Sequence, residues 1–163
     1  MNIMKTPNGA DTWLVIRKAF YWLQREGLDS VSATGLNLGD FAVMKLLQFS
    51  GPLPINVIGT KVLLTSGSIS SSIDRLEERG LVKRHRHATD GRMFLAALTE
   101  RGHDQIQPAA REHAKRMTNL LSVLTSAEQR ELVRLMKKLG KHAMAASTSE
   151  ASSKSAPYSR AGR

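Results

Sequence analysis

Between Leu64 and Thr99 the chain reads LTSGSISSSIDRLEERGLVKRHRHATDGRMFLAALT, a stretch that concentrates hydroxyls and cations. Thr65, Ser66, Ser68, Ser70 and Ser71 precede Arg75. From Leu81 to Arg92, Lys83, Arg84, Arg86 and Arg92 face a single acid, Asp90. Short hydroxyls donate and accept hydrogen bonds without holding two backbones apart. Arginine offers a planar fork that matches phosphate oxygens or the O6 and N7 edge of guanine. The chemistry these residues can do is recognition of a polyanion.

Such groups act only if the elements beneath them aim them. Ile69, Ile73 and Leu76 fall at i, i+4 and i+7, which predicts a helix beginning near Thr65 and stopping at Gly80. Ser68, Ser71 and Arg75 then share the opposite face. In a helix that enters a major groove, bulky residues on that face would hold the backbone away, so serine's poor helix propensity becomes tolerable. The plainer alternative is a solvated face that happens to be rich in serine. A short helix at about 54 to 61, with Pro54 in its first turn, precedes it and buries Ile55, Ile58 and Val62. After Gly80 the spacing turns to alternation. LVKRHRH and RMFLAAL flank ATDG, which predicts a β-hairpin even though Ala96 and Ala97 are poor strand formers. Arg92 at the tip can enter a narrow minor groove, with Asp90 holding its guanidinium. The alternative there is a solvated hairpin whose basic edge blocks aggregation. Helix, turn, helix and basic hairpin make a winged helix-turn-helix.

Composition agrees with a polyanionic partner. Lys and Arg number 24 against 14 Asp and Glu, a net charge of +10. The 163 residues, 41% of them hydrophobic, suffice for one folded unit, mainly α-helical with a small β-hairpin. With no cysteine there is no disulfide framework or thiolate metal site, and a reducing compartment fits. No apolar run approaches the roughly 18 residues that span a bilayer, and MNIMKTPNGAD lacks the apolar core of a signal peptide. The expectation is a cytoplasmic protein without a membrane partner, associated with the nucleoid when bound to DNA.

Outside the winged segment the chain reads as helices. Residues 12 to 26 place Ile16, Ala19, Phe20 and Leu23 on one stripe, with Gly27 as the stop, followed by a polar loop. Asn37 and Asp40 open a helix through about Phe49. Thr99 caps a helix reaching about Leu124, which Pro108 must kink or interrupt. Thr125 and Glu128 form a capping box for a last helix with Leu132, Leu135 and Leu139. Residues 1–11 read as flexible, and residues 146–163, rich in Ser and Ala, as a disordered tail.

The recognition helix, its LEERGLV exit, the Asp-x-Arg pair at Asp90 and Arg92 and the following LT..G resemble the signature of MarR-type bacterial transcription regulators. The likeness is dense over about residues 38 to 102. It implies a winged helix-turn-helix lobe over 37–99 and dimerisation helices over 12–36 and 100–145. It further implies a homodimer on a pseudo-palindromic operator of double-stranded DNA, acting as a repressor released by a small-molecule effector. Carried over by position, Ser66, Ser68, Ser70 and Arg75 line the DNA-facing helix and Arg92 is the minor-groove arginine. Gly91 stands where relatives often carry a basic or bulky residue.

Other readings are weaker on the residues present. His85 and His87 would share a strand face. With His103, His113 and His142 they invite a metal sensor, but there is no cysteine and Arg84 and Arg86 are interleaved, so isolated solvated histidines and no metal are expected. Trp13 and Tyr21, beside Trp22, are candidates for an effector pocket, though aromatics at helical spacing are commonly core or dimer contacts. No Gly-rich nucleotide loop is present, so an enzyme is not expected and no cofactor is called for. The rival binding class is a sequence-tolerant architectural DNA-binding protein.

Overall fold

Two asparagines open the first long helices by accepting from a backbone N–H three residues on. Asn8 Oδ1 takes the Asp11 N–H at 2.9 Å and starts α1 (Gly9–Val31). Asn37 Oδ1 takes the Asp40 N–H at 2.8 Å and starts α2 (Leu38–Ser50). The computed structural model describes residues 8–86 and 93–154. The remaining elements are β1 (Leu53–Pro54), α3 (Ile55–Val62), α4 (Ser66–Glu78), β2 (Val82–Arg86), β3 (Phe94–Leu98), α5 (Glu100–Leu121) and α6 (Ser126–Lys154). The chain divides between Met117 and Thr118 into two compact units.

Helix α1 does not stop at Gly27. A glycine inside a helix costs about 1 kcal/mol relative to alanine, and the next turn carries Val31, which is fully buried in the core. Burying such a side chain yields about 1.5 to 3 kcal/mol. The helix therefore continues, and part of the expected polar loop is helical. Ser32–Thr34 form a 3-10 turn, and Gly35 ends it at φ +65°, a left-handed conformation suited to glycine.

Pro54 lies ahead of α3 and not inside it. With Leu53 it forms an edge strand, Leu53 opposite Ala96 and Pro54 opposite Leu95, so the sheet has three antiparallel strands in the order β1-β3-β2. An edge is where a residue without an N–H can join a ladder. The hairpin pairs Val82 with Leu98 and Arg86 with Phe94. Ala96 and Ala97 are buried in its central strand, where tertiary packing outweighs their weak strand preference. Ile58, Ile69, Ile73, Leu76, Leu81 and Ile106 join the same core.

Pro108 does not interrupt α5. It removes one helical hydrogen bond, but Ile106, Ala109 and Ala110 around it are buried and keep the turn in place. The helix ends at Leu121, short of the expected Leu124. The capping box forms as expected: Glu128 Oε2 accepts from the Thr125 N–H at 2.7 Å and Thr125 Oγ1 from the Glu128 N–H at 3.3 Å. Helix α6 then runs to Lys154, past the Ala146 where composition predicts loss of order.

His113 departs from the expectation of a solvated side chain. Its Nδ1 lies 2.6 Å from the Ser30 hydroxyl, which also donates to the Gly27 carbonyl, and its ring packs on Phe41 with centroids 4.9 Å apart. Burial, and then the charge of Lys45, hold its pKa below the ordinary 6.5. A histidine kept neutral by the fold binds fewer protons than it does in the unfolded chain. Its share of stability is therefore present above the unfolded value and lost as pH falls through the folded one. We expect the drop in melting temperature between about pH 7.5 and about pH 5.5 to be smaller in His113→Asn than in the wild type. Equal drops by calorimetry would show that His113 is not linked to folding.

Candidate nucleic-acid interface

The turn between α3 and α4 is tight, and two residues make it so. A Cβ on Gly59 would sit 3.1 Å from Ile69 Cγ2, so the glycine lets the two helices approach closely. Leu63 ends α3 in the left-handed region at φ 58°, and the Leu64 N–H closes the turn on the Gly59 carbonyl at 2.9 Å. Thr65 then caps α4, its Oγ1 accepting from the Ser68 N–H at 3.2 Å.

The wheel expected for α4 is observed. Ile69, Ile73 and Leu76 are buried, while Ser68, Ser71 and Arg75 are exposed on the opposite face and Thr65, Ser66 and Ser70 are exposed around the first turns of the helix. Their hydroxyls are not equivalent. Ser70 donates back to the Ser66 carbonyl at 3.0 Å, which leaves it to act as an acceptor. Ser68 accepts from Thr65 Oγ1 at 2.9 Å and keeps its own proton for an outside acceptor. A shallow cleft lined by Asn37, Thr65, Ser68, Ser71 and Arg75 runs along this face.

The arginines are more constrained than the sequence suggests. Arg75 donates from Nε to Asp40 Oδ2 at 3.2 Å and from Nη2 to Asp40 Oδ1 at 2.8 Å, a side-on pair with a carboxylate that is only 4% exposed. These hydrogen bonds, opposed by partial burial, raise the guanidinium pKa above its ordinary value. Arg75 is thus held against α2 as well as facing outward. Ser72, absent from the candidates, is buried and donates to the same Asp40 Oδ1. Its signal was a serine on the apolar stripe, three residues after Ile69. Asp40 had a local signal as a capping carboxylate and none for its partners on α4.

Arg84 is held more firmly still. Its Nη1 donates to Glu77 Oε2 at 2.7 Å, its Nη2 to Asp74 Oδ1 at 2.6 Å, and its backbone N–H to Glu77 Oε1 at 2.9 Å. Burial opposes its charge, but the bonds to Asp74 and Glu77 outweigh it and raise the pKa. Arg84, expected at the DNA, thus has each terminal nitrogen on a carboxylate of α4, and the residue ties the hairpin to that helix. Arg86 is exposed and lies over the Phe94 ring at 5.9 Å. Asp90 and Arg92, with His87 and Gly91, lie outside the described residues. Arg79, also missed, donates to the carbonyls of Gly35 at 2.9 Å and Thr34 at 3.0 Å, anchoring the end of α4 to the turn after α1.

Of the two aromatic candidates, Tyr21 lies on a groove along α1 with Arg17, Phe20 and Trp22, and Trp13 does not line that groove. A more apolar cleft lies elsewhere in the first unit, lined by Phe41, Lys45, Phe49, Lys61 and His113 among others. Phe49 is 90% exposed there. No periodic pattern could have gathered these residues from three helices. Among the described residues, no three His, Cys, Asp or Glu side chains are placed to hold a metal ion, and no helix is long and apolar enough to cross a membrane.

Comparison with known proteins places this geometry. The MarR family model matches residues 34–93, the span from just before α2 to the residue ahead of β3. HTH-type transcriptional regulator MhqR of Bacillus subtilis (strain 168) is 31% identical over 138 residues, which cover 85% of this chain and 95% of that protein. A mutant MarR from E. coli, solved in complex with operator DNA, has the same fold at TM-score 0.71 and 21% identity, covering 77% of this chain and 90% of that one. PcaV from Streptomyces coelicolor, solved in complex with its natural ligand, gives TM-score 0.69 and 22% identity over 86% of this chain and 99% of that one. The serine-faced helix, the hairpin braced against it and a relative similar over nearly its whole length agree: the chain belongs to the MarR family of winged helix-turn-helix transcriptional regulators.

Proposed function

We propose that the chain is a homodimeric repressor that works in the cytoplasm, reads a pseudo-palindromic operator through α4, and is released by a small-molecule effector. The observation that carries the reading is the exposed cleft face of Thr65, Ser68, Ser71 and Arg75, small enough for close approach and rich in donors, with Ser66 and Ser70 exposed beside it. A lone winged helix meets one half-site, so two copies would set their recognition helices about one helical turn, roughly 34 Å, apart. Apolar side chains left open on α1 (Phe20, Trp22, Leu23) and α6 (Leu132, Leu135, Leu139) support pairing with a second copy. The cleft of Phe41, Phe49 and His113, flanked by Lys45 and Lys61, supports an apolar effector with negative charge. Arg92, held by Asp90, is proposed to enter the minor groove, with Arg86 at the far end of β2 available to phosphates.

The test is titration against an operator selected from random duplexes, and against its single-base variants, at one salt concentration. Arg75→Ala should cost about 1 to 3 kcal/mol and relax preference mainly at one base pair per half-site. Arg92→Ala should weaken operators with A·T-rich flanks most. Equal binding of all duplexes by the wild type would instead identify a sequence-tolerant architectural protein.

A further inference from the structure

An arginine fork has two usable edges. The side-on edge, Nε with Nη2, and the end-on edge, Nη1 with Nη2, each carry two parallel N–H donors. In Arg75 the side-on edge is closed by Asp40, at 3.2 Å and 2.8 Å, and Nη1 has no hydrogen-bond partner among the described residues. The side chain is 47% exposed and borders the serine-lined cleft of α4. One edge is thus fastened to the protein and the other faces the surface proposed to meet DNA.

Asp40 is itself fixed. Its carboxylate, 35 residues from Arg75 in the chain, accepts from Asn37 Nδ2 at 3.0 Å, from the buried Ser72 hydroxyl and twice from Arg75. Four charge-assisted bonds offset the desolvation of a buried carboxylate, whereas one or two would not. Ser72 and Arg75 are three residues apart on α4, so one carboxylate sets both the rotation of the helix and the direction of the fork. Asn37, which begins this relay, also caps α2, so the direction of the fork is referred to the first turn of that helix.

We infer that Asp40 is a positioning residue for sequence readout, a buried carboxylate that preorganises Arg75 so that its end-on edge meets a base without having to be ordered on binding. The inference rests on the reading of α4 as the DNA-contacting helix. A free arginine must be immobilised on the DNA, and that ordering weakens binding by about three- to tenfold per half-site. The contribution of Asp40 therefore passes through Arg75 and has no independent part at the DNA.

Asp40→Asn is the probe. Its amide oxygen can still accept from Ser72 and from Arg75 Nη2, while its NH2 group faces Arg75 Nε and Asn37 Nδ2, so the paired side-on contact is broken and the bond that remains to the fork loses its carboxylate charge. The full chain and the variants Asp40→Asn, Arg75→Ala, the double variant and Ser72→Ala are titrated against the selected operator and its single-base derivatives, with a thermal melt for each. We expect Asp40→Asn to lose affinity about three- to tenfold per half-site and to relax preference at the same base pair as Arg75→Ala, and the double variant to be within about twofold of Arg75→Ala. Ser72→Ala keeps the charge and the fork, so it should show a smaller loss at that same base pair even where Asp40→Asn folds poorly. A loss equal on every duplex, or losses that multiply in the double variant, would overturn the positioning role while leaving α4 as reader. If Arg75→Ala leaves base preference unchanged, the reading of Arg75 on α4 and the role of Asp40 fall together.

Discussion

Gly102→Ala is expected to destabilise the protein by about 2 to 4 kcal/mol, although alanine is the better helix former by about 1 kcal/mol. A Cβ at this position would stand 2.0 Å from the Leu81 carbonyl oxygen and 3.2 Å from Leu98 Cδ2. The first contact is with backbone, so no side-chain rotation relieves it. The same carbonyl accepts the Thr99 N–H at 3.0 Å, and Thr99 Oγ1 both donates to the Gly80 carbonyl at 2.7 Å and accepts the Gly102 N–H at 3.0 Å. Moving α5 away to make room would break this knot, which closes the base of the hairpin on the end of α4. Loss of operator affinity should accompany the loss of stability. Gly67→Ala is the control: nothing lies within 4 Å of a Cβ there, and its stability should be unchanged or slightly raised. Denaturant unfolding distinguishes the two, and a Gly102→Ala midpoint equal to the wild type would show that the carbonyl contact yields at no cost.

The second large effect concerns assembly. Leu135→Asp with Leu139→Asp should convert the protein to a folded monomer and weaken operator binding by about 10²- to 10⁴-fold, the factor lost when two linked half-site contacts become separate ones. Both leucines are 47% exposed in the single chain, so charge there does not invade a core. Their pattern continues the stripe from Leu132, and Arg134 beside them pairs outward with Glu131 at 2.6 Å, marking the polar side of the helix. Buried against a second copy, two aspartates would meet apolar surface at a cost that dimerisation cannot offset. Light scattering at micromolar concentration, together with circular dichroism to confirm helix content, reads the result. A dimer that survives the double substitution would place the interface elsewhere.

Much of this molecule follows from local pattern. Asn37, Thr65 and Thr125 announce their helices because a cap needs only residues three positions apart. Ile69, Ile73 and Leu76 fix which face of α4 is buried, and hence that serines face out, because burial follows a 3.6-residue period that can be counted along the chain. The alternation after Gly80 marks the hairpin for the same reason, with period two. What spacing could not decide is where a long charged side chain points. Arg75 and Arg84 both look like free cations in sequence. One is fastened along a single edge by Asp40 and the other at both terminal nitrogens by Asp74 and Glu77, because carboxylates within 3 Å outcompete solvent and distances between elements exist only in the folded chain. Gly27 and Pro108 read as breaks, yet the helices continue because Val31, Ile106 and Ala109 are buried next to them. Local propensity is worth about 1 to 3 kcal/mol at such positions, and the burial of neighbouring apolar side chains is worth as much or more.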